Sequence, residues 1–227
     1  ILVRSSDGSQ VQLLGSSYTS GGAIQIAAAT VTGGTTFNAT AGTQITGDYL
    51  ASSGTLTFDG GASSISGTLT LTANLGGGAA LTLGGLDWRY GRMAAGGTTT
   101  LTGSGVIDNT SGYKYLARRL DVSGRLAFGN SSGYYLEVEA GGNLHLTATG
   151  TLATDATNGL IYFTGSSTTS SLSGDAGASV DVGNGTTLAL RANGNATNLI
   201  SGSFAMTGAG ALVLDSGVFT TGSDTTF

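Results

Sequence analysis

"LEVEAGGNLHL", Leu136 to Leu146, decides how this chain folds. It holds two apolar-x-apolar pairs, Leu136/Val138 and Leu144/Leu146, whose starts lie eight residues apart. In an extended strand alternate side chains share a face, so each pair marks one buried face while Glu137 and His145 take the other. Gly141, Gly142 and Asn143 between the pairs accept the backbone angles of a tight turn. A helix would need apolar positions three and four apart and would not carry two adjacent glycines. The reading is strand, turn, strand.

The same unit recurs along the chain, at Leu56/Phe58, Leu69/Leu71, Leu81/Leu83, Leu120/Val122, Leu126/Phe128, Ile161/Phe163, Val180/Val182, Leu188/Leu190, Phe204/Met206 and Leu212/Leu214. Gly, Asn and Ser fill the intervals, as in "GNGT" and "TGAG". Three such strands with their turns make a coil of roughly 20–25 residues, and about ten coils fit the chain. This predicts an all-β fold, a right-handed parallel β-helix or β-solenoid, with residues 1–227 as one domain. An antiparallel sandwich or barrel also has short alternating strands. The even step, the scarcity of charge and the small residues at turns favour the solenoid. In a stacked coil each side chain sits roughly 4.8 Å above its counterpart, where like charges repel and Thr, Asn and Gly stack freely.

Composition narrows the function. The 227 residues are 39% hydrophobic, which supports a core, yet only 9% are charged, with 41 Gly and no Pro. A net charge of -5 offers no field for a phosphate backbone, so nucleic acid is not expected as a partner. The absence of Cys excludes disulfides and thiolate metal sites. Apolar runs such as "AIQIAAATV", broken by Gln25, are too short for a helix to enter a membrane, so no membrane insertion is expected. The chain opens at "ILVRSSDG" and stops at "GSDTTF" in mid-pattern, which reads as a segment of something longer.

The chemistry is concentrated around "LDWRYGRM", Leu86 to Met93. Six of the eight bases (Arg89, Arg92, Lys114, Arg118, Arg119 and Arg125) and five of the eight Tyr (Tyr90, Tyr113, Tyr115, Tyr134 and Tyr135) lie at or near this interval, with the only Trp, Trp88. About one coil separates Trp88 and Tyr90 from Lys114 and Tyr115, so these side chains can stack into a ladder. A glycan-binding reading uses Trp88, Tyr90, Arg92, Tyr113, Tyr115 and Arg118, because flat rings meet the apolar faces of sugars and Arg forks meet hydroxyls or carboxylates. The architectural reading puts Trp88 and Met93 in a core layer and pairs Arg89 and Arg119 with Asp87 and Asp121.

Enzymatic readings are weaker. Glu137 and Glu139 alternate onto one face and, with Lys114 and Arg118 nearby, raise an acid–base site of a polysaccharide lyase or hydrolase. A single His, His145, argues against a His-based triad or a multi-His metal site, and it is expected to point outward. Asp175 and Asp181 in "SGDAGASVDVGNG" lack the nine-residue calcium repeat. No catalytic residue, metal or cofactor is expected.

Longer stretches carry a resemblance. "GGAIQIAAATVTGGTTFNATAGTQITGDYLASSGTLTF" resembles the Gly/Ala/Thr-rich coils of filamentous-haemagglutinin and autotransporter passenger proteins. "LTLGGLDWRYGRMAAGGTTTLTGSGV" with "GYKYLARRLDVSGRLAF" looks like a repeat of very large secreted bacterial proteins, and "MTGAGALVLDSGVFTTG" is similar to autotransporter-associated strand repeats. The resemblance implies a parallel β-helix at the cell surface or outside the cell, with an adhesive or scaffold role. A stiff stalk, fibre or matrix segment is the expected function, a polysaccharide or a host or matrix surface a possible partner, and end-to-end self-association a consequence of exposed strand edges.

Overall fold

A computed structural model describes residues 1–5, 9–94, 96–108, 112–129, 135–155, 157–164, 169–193, 198–222 and 225–226. Every strand pairing in it is parallel, and the strands form one sheet of 17 and one of 10. They wind as a β-solenoid of about nine turns, close to the ten expected. Each coil lays two strand segments in the larger sheet and one in the smaller. The coils are less even than the sequence implied: hydrogen-bonded neighbours in adjacent coils lie 18 positions apart at Asn74 and Arg92 and 28 apart at His145 and Ser173. The strands do not lengthen to match; the connections do.

Alternation explains the strands. Ser63–Leu71, with its pattern of two buried–exposed alternations around a central break, is continuous but bent, so one strand supplies both segments of its coil. The break falls on small residues because neighbouring backbones nearly touch there. A Cβ on Gly103 would lie 2.1 Å from the Gly84 carbonyl oxygen, and one on Gly124 would lie 2.0 Å from that of Gly103. Only glycine fits this corner.

The inward side chains fuse into a single core. Ten of the twelve apolar pairs are buried, and the exceptions are the last two, where Met206 is 38% and Leu214 56% exposed. One interior column runs in register through Ala51, Leu71, Trp88, Ile107, Phe128, Thr154 and Val182. A second, under the smaller sheet, opens with an aromatic stack in which Tyr18, Phe37 and Phe58 follow one another at 5.9 and 5.4 Å with ring planes only 25° and 23° apart. The Tyr49 ring meets Phe37 edge-on and its hydroxyl donates to the Gly33 carbonyl at 3.0 Å.

Candidate functional site

The outer face of the smaller sheet carries the molecule's most distinctive surface. Strands Gly91–Met93, Lys114–Leu116, Leu136–Val138, Gly159–Phe163 and Thr187–Ala192 pair in register, and each turns its apolar positions inward. The intervening positions therefore form an outward column: Arg92, Tyr115, Glu137, Tyr162 and Arg191. Tyr90, Tyr113 and Tyr135 stand one residue before the inward positions Gly91, Lys114 and Leu136 and begin a second outward column. Five tyrosines thus gather across successive coils. Tyr113 lies 6.3 Å from Tyr115 and 4.8 Å from Tyr135, and Tyr135 lies 5.5 Å from Tyr162, with ring planes 60°, 40° and 87° apart. Tyr90 sits over Gly112, where a Cβ would come within 2.4 Å of the ring.

The charges of this face are matched internally. Arg92 Nε lies 2.8 Å from Glu139 Oε2 in an ion pair. Arg191 pairs with Asp215, and the Thr164 hydroxyl donates to Glu137 Oε1 at 2.8 Å. Partial burial, with Glu137 close by, raises the Tyr115 and Tyr135 phenols above their ordinary range. Burial also raises Glu139, aided by Glu137 and opposed by Arg92.

Of the six residues read as glycan-binding, Tyr90, Arg92, Tyr113 and Tyr115 lie on this face, while Trp88 and Arg118 are buried. Trp88 is a core residue between Leu71 and Ile107, its indole N–H donating to the Gly91 carbonyl at 3.3 Å, and Met93 is buried with it. Arg118 points inward and joins successive coils: Nε donates to Ala94 O at 2.8 Å, Nη1 to Thr99 Oγ1 at 3.2 Å and Nη2 to Gly77 O at 2.6 Å. Burial pushes its pKa down, though a guanidinium stays charged. The architectural pairs form as read, Arg89 with Asp87 and Arg119 with Asp121. Tyr134 lies outside the described residues.

The carboxylate–base grouping does not assemble. Glu137 faces outward, whereas Lys114 and Arg118 are buried on the inner side of the coil wall. Lys114 occupies an inward position between Gly91 and Leu136, where the missing side chain of Gly91 leaves it space; its Nζ donates to Gly112 O at 2.9 Å. Burial lowers its pKa to about 8, with Asp108 opposing.

A single histidine proves no bar to meeting both a serine and an aspartate. His145 lies at an outward position, as expected, with its ring only 12% exposed: Nδ1 lies 2.9 Å from Ser173 Oγ and Nε2 3.5 Å from Asp175 Oδ2. Acyl-transfer relays use the opposite nitrogens, Nε2 toward Ser and Nδ1 toward Asp. Ser173 Oγ also donates to Asn143 Oδ1 at 3.0 Å, so its proton is engaged elsewhere. Asp181 accepts from the Thr207 hydroxyl at 3.2 Å.

Tyr162 was missing from the sequence-based set. Its signal was its place between the inward Ile161 and Phe163, which aims it out into the column of Tyr115, one coil beyond Glu137. Compared with protein-family models, with curated proteins and with solved structures, the chain matches none.

Proposed function

We propose that this chain is a structural and adhesive segment of a secreted or surface-exposed bacterial protein, a stiff stalk, fibre or matrix scaffold that needs no cofactor and performs no catalysis. The observation that carries the reading is the unbroken stack. Parallel pairing runs from strand Leu2–Arg4 to strand Phe219–Thr221 in the larger sheet and from Ser17–Ser20 to Ala211–Ser216 in the smaller. A coil in the middle cannot open without breaking ladders on both sides of it, so mechanical load is shared along the axis. The resemblance of the Gly/Ala/Thr-rich stretches to passenger coils supports the placement outside the cell.

Pulling the molecule between its ends tests the stalk. A scaffold yields in steps of about one coil at high force and survives prolonged protease exposure. Collapse in one low-force event, or turnover of a polysaccharide substrate, overturns the reading.

The end coils add a property. Among the described residues, Leu2 and Leu14 in the first coil and Leu214 and Val218 in the last are 57%, 85%, 56% and 60% exposed, beside the outermost strands of the two sheets. Such edges recruit strands. End-to-end association is expected, seen as a sedimentation coefficient that rises with concentration; a monomer at every concentration contradicts it.

A further inference from the structure

We propose that the tyrosine face formed by Tyr90, Tyr113, Tyr115, Tyr135 and Tyr162 binds an extended neutral polysaccharide laid along the solenoid axis.

Ring orientation is the first ground. Beneath the same sheet, Phe37 and Phe58 stack with planes 23° apart and spend their faces on each other. On the outside the tyrosine planes cross at 40°, 60° and 87°, so the rings form a tilted and edge-to-face cluster instead of a continuous parallel stack. Tyr90 and Tyr113 are 51% and 39% exposed. Tyr90, Tyr113 and Tyr135 recur in successive coils, about 4.8 Å apart along the axis, with Tyr115 and Tyr162 flanking them two coils apart, a row of aromatic rings that a chain of pyranose rings can follow.

Charge is the second ground. Arg92 faces Glu139, Arg191 pairs with Asp215, and Glu137 accepts from Thr164. With its cations already matched, this face does not call for a uronate or sulfate, and it has no basic groove for stacked nucleotides. The groups around the rings are phenol hydroxyls and a carboxylate, which donate to and accept from sugar hydroxyls. Neutral hydroxyl-rich chains fit that set.

The proposal deepens the adhesive side of the scaffold reading and rests on it only for the fold. Failure to bind glycans leaves the pulling result untouched, so the two fail separately. The test is calorimetric titration of the intact chain with short and long oligosaccharides of neutral glucan, mannan, galactan and xylan, alongside uronate oligosaccharides of matched length. Saturable binding of a neutral chain is expected, at least about tenfold tighter for long chains than for disaccharides. Tyr113→Ala and Tyr162→Ala should each weaken it by about tenfold while the folded state persists at the titration temperature. If Tyr113→Ala fails to fold, Tyr115→Ser, at a strand position whose side chain faces outward, carries the same expectation. Binding confined to uronates, no saturable binding to any neutral chain, or affinity unchanged in folded variants overturns the proposal. So does pairing of protein copies through this face that the same substitutions abolish.

Discussion

Two sets of aromatic rings occupy opposite faces of one sheet, and they obey different rules. Inside, Tyr18, Phe37 and Phe58 stack nearly parallel in the first coils. Outside, Tyr90, Tyr113, Tyr115, Tyr135 and Tyr162 stand farther along the chain with their planes crossed. The coil repeat imposes close vertical spacing on both. The inner rings lie in the close-packed core, which holds Tyr18, Phe37 and Phe58 in a near-parallel stack and sets Tyr49 edge-on to Phe37, while the outer rings are only partly buried. The difference teaches that a solenoid can keep one geometric repeat while assigning stability to one side of its wall and surface chemistry to the other.

The hardest way to break this contrast is to remove an inner ring. Phe37 is fully buried between Tyr18 and Phe58 and touches Tyr49 edge-on. Phe37→Ala should cost about 3–5 kcal/mol, read as a lower denaturant midpoint, because neighbouring coils are held in register and cannot collapse into the cavity. A loss of less than about 1 kcal/mol would mean that the inner stack is no more structural than the outer one.

The same inside–outside rule separates two adjacent arginines. Arg118 donates to Gly77, Ala94 and Thr99 from within the wall, whereas Arg119 makes an exposed pair with Asp121. Arg118→Ala leaves buried acceptors without a partner and should cost about 2–4 kcal/mol. Arg119→Ala should cost no more than about 0.5 kcal/mol, since exposed ion pairs are screened. Equal losses in a melting comparison would erase the distinction. Gly103→Ala probes the corner itself: its Cβ would meet the Gly84 carbonyl at 2.1 Å, and a backbone shift costing about 1–3 kcal/mol is expected.

How much of this was legible follows the same division. Period-two alternation exposed the inward pairs, and the recurrence of pair and glycine turn exposed the coil, because both reflect local geometry. The longer coils were not legible, since no strand periodicity marks the length of a connection; the 28-position step from His145 to Ser173 had no counterpart in the even eight-residue steps. Within the candidate site, alternation would have placed Tyr115 and Tyr162 outward beside Leu116 and Phe163. It left Trp88 open between the glycan-binding set and the core layer of the architectural reading, where the structure buries it, and it could not place Arg118, whose acceptors Thr99, Ala94 and Gly77 lie 19, 24 and 41 positions away. Lys114 misled for the same reason: its space comes from Gly91, one coil earlier.

Lys114 sharpens the contrast by titration, and the expected effect is smaller than loss of an inner ring. Its pKa falls from the ordinary 10.5 to about 8 in the folded chain, chiefly through burial. Between those values the unfolded chain holds a proton that the folded chain has released, so stability rises with pH across this window. Below about pH 8 both states are protonated and the cost of burying the charge is fully present. Tyr49, raised by burial, runs the other way above its ordinary 10.0, where the folded chain keeps a proton that the unfolded chain loses. The wild-type denaturation midpoint should therefore climb from pH 8 toward pH 10 and then fall. Lys114→Met should remove the climb and keep the fall, whereas a climb that persists in the variant would assign it to another group.

The smallest effect is the most discriminating. Tyr113 lies on the outer face, 39% exposed, with its ring against Tyr115 and Tyr135. Tyr113→Ala opens no interior cavity and removes a ring from a partly solvated surface, so stability should fall by about 1 kcal/mol at most, well below the loss at Phe37. If the loss instead approached that of Phe37→Ala, the outer tyrosines would be bracing the coils, and their tilt would be a packing compromise. A near-silent substitution shows that the fold does not require the Tyr113 ring, on a sheet where Thr or Ser at the same outward position would stack as well.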